Sequence, residues 1–476
     1  MRFWVVKMFV SVLVGLSFCM HVVGETMQVR EDFAADPGWI GVNNVPDPGI
    51  VQTKTQDFGF SATNYAGGAV GEIGGRVCRS FTPAAYWKNI PNRTLEDRLA
   101  ASGRLSVTES SGGAGVLIGW FNHGSRGWRT PNSLAFRIDG ESGKFRVFFE
   151  YGTQNWQTGG GQTFEGPYQT TKTPLLVADG TAHLWRLEYD PSGAGDDGEI
   201  TFYLDDQAYT AALLPGHKAG GAVFDRFGIL NQQISGTELT VYLDDVRTED
   251  QSDDFTVDPH WEGVGNKVTF QDRIVRPFHD FGYRNSNRAG GQPGEAGGIF
   301  WRIESWDPEH AGYYAAPVGR LNLNQPLRAS GKLAMQAGAA DSALLVGWFN
   351  SRTYIGGPPA NFLGILIEGP SRIGHYFRPI YHTSDDIRGG LEEGPLVRAD
   401  DKVHNWSVSY DPSANNGIGK IVAVFDGESL LLDLTPAARK GNAAFDRFGF
   451  LSWQRGGHCV EMHFDDLEYT AEEGVM

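Results

Sequence analysis

Cysteine is nearly missing from this chain: there are three in 476 residues, and Cys19 lies in the apolar stretch at the N-terminus. That excludes a disulfide-dense scaffold and a zinc site built on paired cysteines. Cys78 and Cys459 do not correspond in the internal repeat described below, so no bridge belongs to the repeated unit. Beyond the first 24 residues no apolar run approaches the roughly 20 residues of a membrane-spanning helix. Lysine is scarce, 11 against 29 arginines, within a formal net charge of −17. So acidic a chain is a poor partner for nucleic acid or for an anionic membrane surface. Long helical periodicity is lacking, and so are a Gly-x-Ser-x-Gly elbow and a Walker loop, which removes the commonest hydrolase and nucleotide signatures.

What the chain has is turn residues, 63 Gly and 23 Pro, between short apolar or alternating runs. Such runs are strands rather than helices. Val116–Phe121, Leu134–Ile138, Phe145–Tyr151, Leu184–Tyr189, Ile200–Leu204, Phe224–Leu230 and Leu239–Leu243 read this way. Thr94–Ala101 is the one modest helical candidate. The expected class is all-β.

The runs come twice. Phe224-Asp225-Arg226-Phe227-Gly228 returns as Phe445-Asp446-Arg447-Phe448-Gly449, Gly119-Trp120-Phe121-Asn122 as Gly347-Trp348-Phe349-Asn350, and Asp57-Phe58-Gly59 as Asp280-Phe281-Gly282. Glu31-Asp32-Phe33 and Asp253-Asp254-Phe255 open the copies; Asp244-Asp245 and Asp465-Asp466 close them. A period of about 220 residues is a domain duplication, since solenoids and propellers repeat at roughly 20–50. The expected plan is a secretory signal over 1–24, a first sandwich over 25–249 and a second over 250–476. Arg2 and Lys7, the apolar stretch Met8–Met20 and the small-residue site Val22-Val23-Gly24 carry the signal. It predicts export to an extracellular or periplasmic location, with no membrane insertion of the mature form. The short joint Thr248–Ser252 predicts sandwiches fixed to one another.

One hairpin carries a resemblance. Tyr189-Asp190-Pro191-Ser192 leads through a Gly-rich turn into Gly198–Asp205, and Tyr410-Asp411-Pro412-Ser413 leads into Gly419–Gly427. A strand ending in Tyr-Asp, a turn, and a strand ending in Asp resembles the concanavalin A-like lectin/glucanase superfamily, laminin-G-like jelly rolls in particular. The resemblance implies two tandem jelly-roll β-sandwiches and a carbohydrate-related role. The Glu-x-Asp-x-x-Glu strand of the superfamily's glucanases is missing, and no paired carboxylates sit mid-strand as glycoside hydrolysis requires.

Strand alternation puts Trp120 with Asn122, and Trp348 with Asn350, on one face. Either these tryptophans pack a core or they stack against sugar rings while the asparagines bond hydroxyls. Arg79 and Arg302 both follow a Gly-Gly turn, and Arg352 and Tyr354 belong to the second copy alone; all four are candidate ligand groups. The second copy also holds eight of the twelve histidines. Its run His375-Tyr376-Phe377-Arg378-Pro379-Ile380-Tyr381-His382 is similar to the Tyr-Phe-Lys-Ala-Gly-x-Tyr signature of alginate-lyase-like jelly rolls. That similarity implies proton transfer by Tyr and His beside a cation that neutralises a uronate. It would assign catalysis to Arg302, His375, Tyr376, Arg378, Tyr381 and His382, although Arg, Pro and Ile stand where the signature has Lys, Ala and Gly. Tyr376, Arg378 and His382 share a face if Pro379 leaves the strand regular.

The superfamily resemblance also implies a structural Ca²⁺ between the terminal and N-terminal strands. Its candidate ligands are Asp32 with Asp244 or Asp245, and Asp254 with Asp465 or Asp466. Two carboxylates could begin the six to eight oxygens calcium takes. Three functions stay open: an exported binder of extracellular polysaccharide, acidic or sulfated given the arginines; a polysaccharide lyase or glycoside hydrolase acting in the second copy; and a structural or adhesive surface protein.

Overall fold

The computed structural model describes residues 25–475, except 81, 126–129, 161–174, 232–235, 250, 303–307, 340, 355–358, 370–373, 385, 401, 442 and 454–457. The expected signal over 1–24 lies outside the described residues. The chain is all-β, as expected, and forms two jelly-roll sandwiches, each of two antiparallel sheets. Thr94–Ala101 is not a helix. Leu95 is buried at the turn joining strands Ala84–Thr94 and Leu99–Ser110, and Asp97 closes that turn on the Thr94 N–H and hydroxyl.

In each sandwich the front sheet is a meander flanked by returning strands. In the second it runs Ile40–Val42, Tyr313–Asn322, Ala444–Ser452, Ala343–Phe349, Phe362–Glu368, His375–His382, Arg388–Gly390. The back sheet runs Asp280–Arg284, Glu295–Trp301, Cys459–Glu472, Leu327–Gly338, His404–Asp411, Lys420–Phe425, Glu428–Asp433. Strand alternation turns Trp348, Phe377 and Tyr381 of the front sheet against Trp406, Tyr410 and Phe464 of the back sheet. In the first sandwich Trp120, Phe136, Trp185 and Phe202 do the same. Cys78 and Cys459 are free and buried.

The repeat does not coincide with the sandwiches, and the boundary expected at 249/250 is corrected. Thr26–Glu31 pairs antiparallel with Cys459–Glu472 of the second sandwich, and Ile40–Val42 pairs with Tyr313–Ala315 of its front sheet. Conversely, Ser252–Asp253, Glu262–Val264 and Lys267–Asp272 all pair with strands of the first sandwich. The N-terminal arm of each copy therefore completes the other half. The cause lies in the arms, which read Asp36-Pro37-Gly38-Trp39-Ile40-Gly41-Val42 and Asp258-Pro259-His260-Trp261-Glu262-Gly263-Val264. Each sandwich needs one such arm at its rim, and the second arm follows the first sandwich's closing strand directly. Trp39 packs between Phe33, Tyr314, Phe450 and Tyr469, while Trp261 stacks on Tyr86 against Phe255. Asn44 and Asn266 occupy equivalent places, each donating its amide to the carbonyl of Phe281 or Phe58.

Candidate functional site

The strand His375–His382 keeps a regular register against Phe362–Glu368, from His382 opposite Phe362 to Tyr376 opposite Glu368. Pro379 does not break it. Its carbonyl points outward to the Leu391 N–H, so its missing N–H falls between two short edge strands, Arg388–Gly390 on Ile380–His382 and Leu396–Val397 on His375–Tyr376. Alternation then sends Phe377 and Tyr381 into the core and Arg378, Ile380 and His382 to the outer face.

On that face Glu368 is gripped from two sides. Arg378 Nη2 reaches its Oε2, and Arg302 Nη1 lies 3.0 Å from Oε1. Arg378 Nη1 also donates to the carbonyls of Leu391, at 3.3 Å, and Glu392, which ties the guanidinium to the edge. Arg378 Nε is buried with no hydrogen-bond partner among the described residues. His382 meets the Trp453 ring edge-on with centroids 6.3 Å apart. Glu368, Arg378, His382 and Trp453, with Leu366, Ile380, Glu392 and the exposed Arg388, line a cleft of about 580 Å³, and Arg302 is buried against Glu368. Beside it Leu345, Phe349, Tyr354 and Leu451 form a buried apolar layer on the same side of the sheet.

Sequence reasoning missed Glu368, although the repeat carried a signal for it. Ile138-Asp139-Gly140 stands in the first copy where Ile367-Glu368-Gly369 stands in the second, and Asp139 is likewise paired, to Arg137 at 2.9 Å. Burial raises the Asp139 carboxyl above its ordinary value in spite of that arginine. The rest of the constellation is not repeated: by register Phe148, Glu150 and Gly152 take the places of Arg378, Ile380 and His382.

The other candidates are scattered. Trp120 and Trp348 are core residues, 1% and 0% exposed, so neither can stack on a ligand. Trp348 spends its indole N–H on the Thr470 carbonyl, 3.0 Å away. Asn122 and Asn350 cap turns, accepting from the N–H groups of Gly124 and Arg352. Arg79 is spent on Asp272, at the end of the edge strand Lys267–Asp272 of its own sheet. Arg352 is exposed on its turn, and Tyr354 is buried, its hydroxyl shared among Gly312 and Ser452. His375 is buried against the Ser342 hydroxyl, and that burial lowers it to about 4. Tyr381 is a core residue whose hydroxyl accepts from the Thr435 N–H. Of the expected catalytic set, Tyr376, Arg378 and His382 share the outer face, with half-buried Tyr376 directly opposite Glu368, while Arg302 reaches Glu368 from the end of the back-sheet strand Glu295–Trp301.

The terminal aspartates have another explanation than calcium. Each pair is a β-bulge, with Asp245 at φ 51° and Asp466 at φ 49° where the ladder slips. Aspartate tolerates that left-handed conformation better than most residues. Asp244 and Asp465 turn inward and accept from the next N–H at 2.7 Å; Asp245 and Asp466 turn outward to Arg104 and Lys332. The arm exchange also crosses the expected partners: Asp32 follows Glu31 beside Leu467, and Asp254 follows Asp253 beside Val246. Asp32 and Asp254 are exposed and spend carboxylate oxygens on the N–H groups of Ala34 and Thr256. Among the described residues no three His, Cys, Asp or Glu side chains converge as a metal would need, so these residues do not fit a calcium shell.

No family model matches the chain, and no curated protein matches it. Among solved structures it is similar to domains LG4-5 of the mouse laminin alpha1 chain, at 10% identity over 83% of this chain and 89% of that one, with a TM-score of 0.25. It is also similar to peanut lectin, at 13% identity over 40% and 90% of the two chains, with a TM-score of 0.25. A third is the GH43 protein BlXynB from Bacillus licheniformis, at 12% identity over 74% and 66%, with a TM-score of 0.26.

Proposed function

We propose that this is an exported glycan-binding protein whose ligand, an acidic or sulfated polysaccharide, enters the outer cleft of the second sandwich. One observation carries the reading: Arg302 and Arg378 converge on the single carboxylate of Glu368, with Arg388 exposed at the mouth. The lining carries Arg378 and Arg388 beside Glu368 and Glu392, and buried Arg302 adds a third guanidinium against Glu368, a local concentration of arginine in a protein of net charge −17. Guanidinium forks suit carboxylate and sulfate oxygens, and Trp453 and His382 offer ring edges nearby. Tyr381 and His375 face inward, which removes two of the four Tyr and His residues of the lyase assignment and leaves Tyr376 and His382 on the outer face.

The test is a glycan array followed by titration calorimetry on the chain lacking residues 1–24. Saturable binding to uronate-rich or sulfated glycans, weakened at least tenfold in Arg378→Ala, supports the reading. Failure to bind any glycan, or binding that Arg378→Ala leaves unchanged, overturns it. Mass spectrometry of the secreted product checks the cleavage after Gly24.

A further inference from the structure

Where the sandwiches meet, the edge strand Lys267–Asp272 of the first lies over the outer face of the second's back sheet. The two do not close on each other. They leave a pocket of about 410 Å³, within the usual range for small-molecule sites of about 300–1,000 Å³. Its apolar walls are Val268 and Phe270 from the edge strand, Ile274 from the joint and Ile299 from the opposing sheet.

The charged groups around it nearly all have partners. Asp272 holds Arg79, and Asp280 holds both Arg273 and Arg284. His463 is 3.0 Å from Glu295 through Nδ1 and 3.0 Å from Glu461 through Nε2. Arg288 is different: its Nη1 donates to the neutral Gln336 Oε1 at 2.7 Å, and among the described residues it has no carboxylate partner. The repeat shows that this is specific to the second copy. At the matching positions of the first sandwich Tyr65 stacks on Tyr242 at 4.7 Å, so an aromatic pair fills the place that Arg288 and His463 hold here.

We propose that this inter-sandwich pocket binds a small amphipathic anion, a medium-chain or aromatic carboxylate. Its apolar body lies against Phe270 and Ile299, and its charged end meets Arg288. An apolar chamber with one uncompensated guanidinium at its edge favours an anion over a neutral or cationic ligand of the same shape. This site is separate from the glycan cleft and shares no lining residue with it.

The experiment is a fluorescence titration of the chain lacking residues 1–24 with anilinonaphthalene sulfonate, competed by decanoate or by decylamine. Saturable binding is expected, reversed by decanoate and not by decylamine. Arg288→Gln, and separately Gln336→Glu, which places a carboxylate on Arg288 without touching the apolar walls, should each weaken it about tenfold, the scale of one charged hydrogen bond. Arg378→Ala should leave it unchanged. No saturable binding, equal displacement by decylamine, or unchanged affinity in both Arg288→Gln and Gln336→Glu overturns the proposal.

Discussion

The backbone N–H of Glu473 donates to the carbonyl of Glu25 at 2.8 Å, so the arm that opens the described chain is fastened to the strand that closes it. The pairing continues from Thr26 opposite Glu472 to Glu31 opposite Leu467, and Trp39 then buries its ring in the second sandwich. Trp39→Ala should therefore destabilise the second sandwich by about 3–5 kcal/mol, the usual cost of emptying a large buried aromatic site. Trp261→Ala should weaken the first sandwich instead, and by less, because Trp261 is only partly buried. Limited proteolysis with mapping of the fragments would show which half opens; opening of the first half in Trp39→Ala would contradict the exchange.

Trp348 separates scaffold from site. Trp348→Phe loses buried area and the bond to Thr470, and should lower stability by about 1–3 kcal/mol. The set of glycans bound should not change. Chemical denaturation paired with the array checks both, and a changed glycan preference at intact fold would return Trp348 to the binding surface.

Glu368 subtracts charge from the cleft. Glu368→Gln keeps an oxygen for the arginines while removing the negative charge, so affinity for an anionic glycan should rise several-fold as affinity in Arg378→Ala falls. Calorimetry at low and high salt checks this, and the gain in Glu368→Gln should shrink as salt screens it.

The bulge aspartates predict a pH dependence. Burial raises Asp244 and Asp465 to about 6 each, against an unfolded value near 3.9. A carboxyl raised in the folded state contributes stability that is complete below about pH 4 and is lost as pH rises through about 6. Asp244→Asn and Asp465→Asn keep the oxygen that accepts from the next N–H and remove the titration. Each variant should flatten the decline in melting temperature between pH 4 and 7, seen in the difference between variant and parent curves. Parallel curves would show that these carboxyls do not titrate in that window.

The repeat made the sandwiches legible, because strand periodicity and doubled motifs need no tertiary information. It also hid the exchange: Glu31-Asp32-Phe33 and Asp253-Asp254-Phe255 are so alike that nothing local says which half each one completes. Alternation correctly put Arg378 and His382 on one face, and it put Trp348 on a face without saying whether that face looked inward. The core claimed the tryptophans, since both sheets needed large rings between them. Glu368 went unnoticed because a single carboxylate near a strand end resembles ordinary edge polarity; only its match to Asp139 marks it. The doubled aspartates drew attention as metal ligands, whereas what repeats in them is a backbone conformation.

The pairing of Thr26–Glu31 with Cys459–Glu472 also sets a timetable. Thr26–Glu31 must wait for a partner made far later, while the first sandwich can close around its own contiguous arm long before. Loop closure over so long a stretch costs little more at equilibrium than over a shorter one, since it grows only with the logarithm of length. In time the cost is larger, because contacts between distant parts of a chain form slowly. Until Cys459–Glu472 is available, Phe33 and Trp39 have no pocket, and the newborn chain carries an unpaired strand edge with two bare aromatic rings.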